Sequence, residues 1–289
     1  RVFYITELIR YEGSAMQELL QTGAEFFNDP SALCDAELVA LAMESLDTLG
    51  IHGFRVDLGQ CEYVASLLSE DESLLESDRA AIQRHISRKD ALALEEYMAF
   101  RSCKKEVAQC AKEVCMLFGD YSHVLEKAGR LCLNSGMQNA LSNLREIASL
   151  IEGQGFSAQI CLDLGFSNWM DYYSGMIFKI YAENASQEVV SGGRYDSLAS
   201  RLGHKKYACG FGHHLDLTLP LATPPKGSAR LVRILAPKAD FRDALLAASQ
   251  LRRKGYSVEA AESAGGFVAD FGTERLGSVE ALQERLGRL

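Results

Sequence analysis

The 289-residue sequence predicts an α+β fold from three features. Stretches rich in β-branched and aromatic residues occur at both ends of the first 219 residues. A proline-free run with helical spacing separates them, and a strand, helix, strand unit follows a linker rich in proline.

The elements follow in order. Residues 2–9, Val2-Phe-Tyr-Ile-Thr-Glu-Leu-Ile9, read as a strand, and 22–27 as a second extended stretch. Asp29-Pro-Ser31 supplies helix-start chemistry ahead of Leu38, Leu41, Ala42, Leu46 and Leu49 at helical spacing, and Gly50 ends that helix. Residues 54–58 form a short strand. From about 62 to 150 Ile82, Ile86, Leu92, Leu94, Met98, Val107, Val114 and Leu117 form apolar stripes of several packed helices, a helical insertion between strand regions. Strand chemistry returns at 158–164, at 172–181 and near 208–212. Two polar turns, 183–187 and 191–196, lie where antiparallel strands should reverse. Residues 220–227, with Pro224-Pro-Lys-Gly227, are the linker, and 228–289 read as a small C-terminal α/β domain. Its elements are a strand at 231–235, a helix at 241–254, a strand at 257–261 and a closing helix at 279–286.

Composition narrows the function classes. No stretch approaches the ~20 consecutive apolar residues of a membrane helix, and the first residues lack signal-peptide order, so a cytoplasmic protein is expected. The net charge of -9 argues against a general nucleic-acid binder, because phosphate contacts need a basic surface. Basic runs at 101–105 and 252–254 read as solvated helix faces. The eight cysteines are dispersed and expected to be reduced, mostly buried thiols. No metal site is expected: His213 and His214 are adjacent on a strand and so face opposite ways.

Asp171-Tyr-Tyr-Ser-Gly175 and Ser191-Gly-Gly-Arg-Tyr-Asp196 are dense polar and aromatic clusters in apolar surroundings. Tyrosines give an apolar ring with a hydrogen-bonding tip, and paired glycines let backbone approach a ligand, so together they suit the walls of a pocket for a small zwitterion. Each alone is also compatible with an ordinary turn flanked by aromatics.

D-Y-Y followed about twenty residues later by G-G-R-Y-D resembles the catalytic core of the histidyl-tRNA synthetases. Leu8-Ile-Arg-Tyr-Glu12 looks like their F-R-x-E, the second class II motif, and Gln21-Thr-Gly-Ala-Glu25 like the Q-x-G-x-E after it. Residues 208–216 look like the third motif. The matches keep the family's order over most of residues 1–219. The resemblance implies a class II synthetase-like core: a six-stranded antiparallel sheet flanked by helices, histidine recognition by residues including Gln21, Glu25, Tyr172, Tyr173 and Tyr195, and dimerisation. Arg10 and Glu12 are further candidates for the pocket. The first motif, expected upstream, is absent from the sequence.

Two departures bear on chemistry. The family's L-V-R-G-L-D-Y-Y reads Phe166-Ser-Asn-Trp-Met-Asp-Tyr-Tyr173 here, so Asn168 stands where an arginine meets the reacting phosphate and Trp169 replaces a glycine. The third motif ends in Asp216-Leu217, with Leu217 where an arginine grips the γ-phosphate. Each lost charge stabiliser costs about 3 kcal/mol, a hundredfold or more in rate. The motif 2 loop is also short and lacks basic residues. The chain therefore resembles the non-catalytic branch of this family, the regulatory subunits of ATP phosphoribosyltransferase. That resemblance implies assembly with the short-form catalytic subunit as a hetero-octamer, histidine as feedback effector in the first step of histidine biosynthesis, no cofactor, and no tRNA or membrane partner. A divergent histidine-tRNA ligase and an amino-acid-binding module of another complex are the alternatives.

Overall fold

The structure, a computed structural model, describes residues 1–12, 15–153, 160–166, 172–201, 207–223, 230–271 and 274–288. A long hairpin opens it: β1 (Val2–Glu12) pairs antiparallel with β2 (Ala15–Phe27), Tyr4 opposite Gly23 and Thr6 opposite Gln21. Helix α1 (Ala32–Thr48) follows. Ser31 caps it by accepting from the Cys34 amide at 3.2 Å, and Gly50, at φ +76°, turns the chain where an L side chain is strained. Strand β3 (Phe54–Gln60) leads into α2 (Cys61–Ser69), α3 (Glu76–Ser87), α4 (Ala91–Phe100), α5 (Lys105–Cys115), α6 (Tyr121–Leu131) and α7 (Ser135–Glu152). The expected helical insertion contains one strand as well, β4 (Phe118–Asp120).

Strands β5 (Ile160–Asp163), β6 (Met176–Ala182) and β7 (Val190–Arg194), helix α8 (Asp196–Arg201), strand β8 (Ala208–His214) and the short α9 (Leu215–Thr218) complete the core. The sheet runs β1-β2-β8-β7-β6-β3-β5-β4. Every pairing from β1 to β3 is antiparallel, which gives the six-stranded antiparallel sheet that the resemblance implies. Two strands extend it: β5 lies parallel to β3, and β4 antiparallel to β5. The long helical crossover from β3 to β5 is what permits a parallel neighbour.

Two local expectations are corrected. Residues 191–194 are strand, not turn, because Ser191, Gly192 and Gly193 pair with both β6 and β8 in the middle of the sheet. The strand expected at 172–181 begins only at Met176, since Tyr172 and Ser174 bond to the β7–α8 junction instead of a ladder. The turn at 183–187 does join two strands, with Asn184 at φ +65°.

The main core lies between one sheet face and α1, α2 and α7, with Leu38, Met43, Leu46, Leu58, Tyr63, Leu67 and Phe178 fully enclosed. Such side chains contribute roughly 1.5–3 kcal/mol each by leaving water. Helix α1 is buried nearly all round, yet it carries Asp35, Glu37 and Glu44 inward. Each meets an arginine: Arg194, Arg1 and Arg252 respectively. A buried carboxylate needs such a partner to stay charged.

A second core surrounds a smaller sheet ordered β10-β9-β11-β12. Strand β9 (Arg230–Ala236) runs parallel to β10 (Tyr256–Glu262) and antiparallel to β11 (Val268–Asp270), which pairs with β12 (Arg275–Leu276). Helices α10 (Phe241–Arg253) and α11 (Val279–Arg288) supply Phe241, Leu245, Leu251, Leu282 and Leu286. Leu33 of α1 packs on this core, and Arg252 of α10 bonds to Glu44 of α1, so the second unit is seated against the helix that backs the first sheet.

Candidate functional site

The site lies on the sheet face opposite α1. Strand alternation sends Ala24 and Phe26 into the core and turns Gln21, Gly23 and Glu25 the other way. Across the ladder Gly210 sits opposite Glu25, and Gly212 opposite Gly23. These glycines are the floor. A Cβ on Gly210 would fall 1.6 Å from Glu25 Oε2, and one on Gly212 would fall 2.6 Å from Gln21 Nε2. The two polar side chains therefore lie flat over positions that only glycine can occupy.

Tyr195 donates its hydroxyl to Glu25 Oε2. Burial pushes the Glu25 carboxyl above its ordinary value, and the Tyr195 bond opposes that rise. Burial, then the bond to Glu25, holds the Tyr195 phenol far above its usual value. Gln21, itself buried, donates from Nε2 to the hydroxyl oxygen of Tyr4 at 2.7 Å. Sequence reasoning does not single out Tyr4. Its only signal is a parity shared with Gln21 through a hairpin register that the sequence leaves open.

The two aromatic clusters are stitched together. Ser174 donates its amide to the Arg194 carbonyl at 2.8 Å, and its hydroxyl accepts from the Asp196 amide at 3.0 Å. Ser197 donates to the Tyr172 carbonyl at 2.9 Å. Tyr172 consequently stands between Tyr173, at 4.6 Å between ring centroids, and Tyr195, edge-on at 6.1 Å. Burial lifts the Tyr173 phenol well above its ordinary range. Alternation divides the G-G-R-Y-D motif between faces: Tyr195 reaches the site, while Arg194 turns into the core and meets Asp35 through Nη2 at 2.7 Å. A carboxylate walled by three tyrosines and flanked by an amide suits a small ligand carrying N–H donors and positive charge.

The remaining expected positions are distributed as follows. Arg10 and Glu12 lie at the far end of the hairpin, opposite Gln17 and Ala15, so their backbone is four and six residues beyond Thr6, the partner of Gln21. The hairpin separates them from the Gln21–Glu25 cluster by about 14 Å or more along the strand, and their side chains lie outside the described residues, as do Asn168 and Trp169. Leu217 packs partly buried against the main core. Next to it, Asp216 Oδ2 accepts from the Leu20 amide at 2.5 Å. Among the described residues no group of three or more His, Cys, Asp or Glu could hold a metal ion, and no helix is long and apolar enough to cross a membrane.

His213 turns into the core, bonded through Nδ1 to Ser45 Oγ at 3.0 Å and through Nε2 to Thr218 Oγ1 at 2.9 Å. Burial lowers its pKa to about 4, with His214 adding to the effect. His214 is the titratable neighbour that bears on His213, and it also faces Glu188. A depressed histidine pKa means that the unfolded chain takes the proton first, so stability is full above pH 6.5 and is lost as pH falls toward 4. Between pH 6.5 and 5 the expected loss is about 1.5 kcal/mol. Urea melts of wild type and His213→Gln over that window check this: the slope should flatten in the variant.

Comparison with known proteins gives the same frame. The family model described as histidyl-tRNA synthetase matches residues 1–217. Two similar relatives, from Oceanobacillus iheyensis and Geobacter sulfurreducens, are each named an ATP phosphoribosyltransferase regulatory subunit. The first is 32% identical over 267 residues, 89% of this chain and 64% of the relative; the second is 31% identical over 265 residues, 89% and 60%. The chain thus spans less than two thirds of the length of these relatives. A Bacillus halodurans structure described as an ATP phosphoribosyltransferase regulatory subunit/histidyl-tRNA synthetase aligns over 98% of this chain and 70% of its own, at TM-score 0.69 and 24% identity. One from an ATP phosphoribosyl transferase complex of Thermotoga maritima aligns over 74% and 72%, at TM-score 0.60 and 20% identity. These structural likenesses carry the class II synthetase fold. By the family match across its whole main sheet, the chain belongs to the histidyl-tRNA synthetase family and is similar, within it, to ATP phosphoribosyltransferase regulatory subunits.

Proposed function

We propose that the chain is the synthetase-like core of a non-catalytic regulatory subunit of ATP phosphoribosyltransferase, acting in the first step of histidine biosynthesis in the cytoplasm. It activates a short-form catalytic subunit within a hetero-octamer, self-associates as a dimer, and relays feedback inhibition by histidine. Residues 1–219 form the effector-binding unit, 220–227 a linker, and 228–289 a separate small domain. Glu25 pairs with the α-ammonium of histidine, Gln21 lies beside it, and Tyr173 meets the imidazole, with Tyr172 and Tyr195 as walls. Arg10 and Glu12, named by the motif resemblance, stand at the far end of the hairpin and take no part in this contact set, while Asn168 and Leu217 mark lost adenylation chemistry.

The observation that carries this reading is the pairing of an intact acidic, tyrosine-walled pocket with Leu217, an apolar side chain packed on the core where the synthetases place a phosphate-gripping arginine. Leucine offers nothing to a γ-phosphate. Only a ligand that binds one assembly state better than another shifts its activity, so histidine must contact this pocket differentially. Co-purification with a short-form catalytic subunit should succeed. Because the family model is that of a ligase, histidine-dependent ATP–pyrophosphate exchange is the companion assay: background rates fit the regulatory reading, and robust exchange restores the ligase.

A further inference from the structure

We propose that Tyr4 is a positioning residue of this pocket: its hydroxyl holds the Gln21 amide so that Gln21 Oε1 faces the ligand as an acceptor for its ammonium group. The inference rests on the proposed histidine site and adds a residue to it.

The geometry is set by the hairpin. Tyr4 pairs with Gly23, the residue midway between Gln21 and Glu25 on the site face of β2. A Cβ on Gly23 would fall 2.5 Å from the Tyr4 hydroxyl oxygen and 2.6 Å from Cζ, so the phenol ring lies across Gly23 and bridges the gap between the two polar side chains. Gln21 Nε2 donates to that hydroxyl at 2.7 Å. An amide whose nitrogen is committed on one side presents its oxygen on the other, and a carboxamide oxygen is an acceptor only. Among the described residues no hydrogen bond occupies Gln21 Oε1. The Tyr4 hydroxyl keeps its own proton, since burial and the nearby Glu25 charge hold the phenol above its ordinary value. Thr22 Oγ1 anchors the strand that carries the ring by donating to the Tyr4 carbonyl at 2.8 Å.

Without the Tyr4 hydroxyl the amide is free to rotate and to turn its nitrogen toward an ammonium, which repels it. Ligands with that group should therefore lose affinity, and ligands without it should not. The test is calorimetric titration of wild type, Tyr4→Phe, Gln21→Met and the double variant with L-histidine, histamine and imidazolepropionate. Tyr4→Phe keeps the ring, and its thermal midpoint should stay within a few degrees of wild type. The expected result is about a tenfold loss for histidine and histamine in Tyr4→Phe and less than a twofold change for imidazolepropionate. In the Gln21→Met background, removing the Tyr4 hydroxyl should have no further effect on that ratio. Equal losses for all three ligands, or none, in a protein whose wild type binds histidine would overturn the role of Tyr4 and leave the site standing. A wild type that binds no histidine would overturn the site and this role together.

Discussion

Gly210→Ala should remove most of the affinity for histidine, with a stability cost where the new Cβ crowds the Ala24 backbone carbonyl. Its Cβ would lie 1.6 Å from Glu25 Oε2, 2.4 Å from Glu25 Cδ and 2.9 Å from the Ala24 carbonyl oxygen. The carboxylate is the far end of a flexible side chain, so it swings away, and in doing so it leaves Tyr195 and the ligand ammonium. Loss of charge-assisted bonds of this kind costs about 2–3 kcal/mol, or 30- to 150-fold in affinity. Gly192, beside it in the sheet but on the opposite face, should behave in the reverse way. A Cβ there would meet the Gly210 carbonyl oxygen at 2.5 Å, Phe211 Cβ at 2.6 Å and Phe178 Cε1 at 2.7 Å, inside packed core where nothing can swing aside. Gly192→Ala should destabilise the fold by about 3 kcal/mol. Calorimetry and denaturant melts on the two variants separate the effects; a Gly210→Ala protein that binds histidine normally would show that Glu25 is not a ligand contact.

The second large effect is expected at Asp35 and Arg194. Arg194 reaches Asp35 with Nη2 at 2.7 Å and Nε at 3.1 Å, the Asp29 carbonyl with Nη1 at 3.0 Å, and Asp196 at 3.3 Å, while its side chain is only 8% exposed. Burial pushes the Asp35 carboxyl up to about 6 even with the guanidinium alongside, which still leaves it ionised at neutral pH. Removing the arginine strands that charge, so Arg194→Met should cost about 3–5 kcal/mol. Lysine should not rescue it, because one ammonium cannot replace a planar fork that satisfies three acceptors. Arg194→Met combined with Asp35→Leu should recover much of the loss, and additive single-site losses in urea melts would rule out direct coupling. Since the Arg194 carbonyl holds Ser174 and the next residue is Tyr195, the same lock aligns the tyrosine walls.

Much of this architecture is legible in the sequence where local chemistry decides it. Ser31 and Gly50 bound α1 because capping and a left-handed turn are local demands. The residues of Q-x-G-x-E share a face because strand parity is local too. The G-G-R-Y-D segment reads as a turn because its composition is that of a turn. Only the neighbours β6 and β8, supplied from elsewhere in the chain, make its glycines sheet residues over which large side chains pack. The parallel placement of β5, the pairing of Arg194 with Asp35 across 159 positions and the role of Tyr4 are likewise set by long-range register, which short-range patterns do not encode. Arg10 and Glu12 appear close to Gln21 in the linear motif, yet the hairpin carries them to its far end.

A pocket that binds histidine in order to control another protein's chemistry must show its effect in that protein's rate. The most direct measurement is the steady-state rate of a short-form ATP phosphoribosyltransferase catalytic subunit, mixed with this protein or with its Glu25→Gln variant and titrated with histidine. The wild-type protein should raise the rate, and histidine should then suppress it. The Glu25→Gln protein should raise the rate equally but need at least thirtyfold more histidine for the same inhibition, in line with a charge-assisted bond of about 2 kcal/mol. A rate unaffected by the protein, or inhibition by histidine that is identical for the two forms, would contradict control through this pocket.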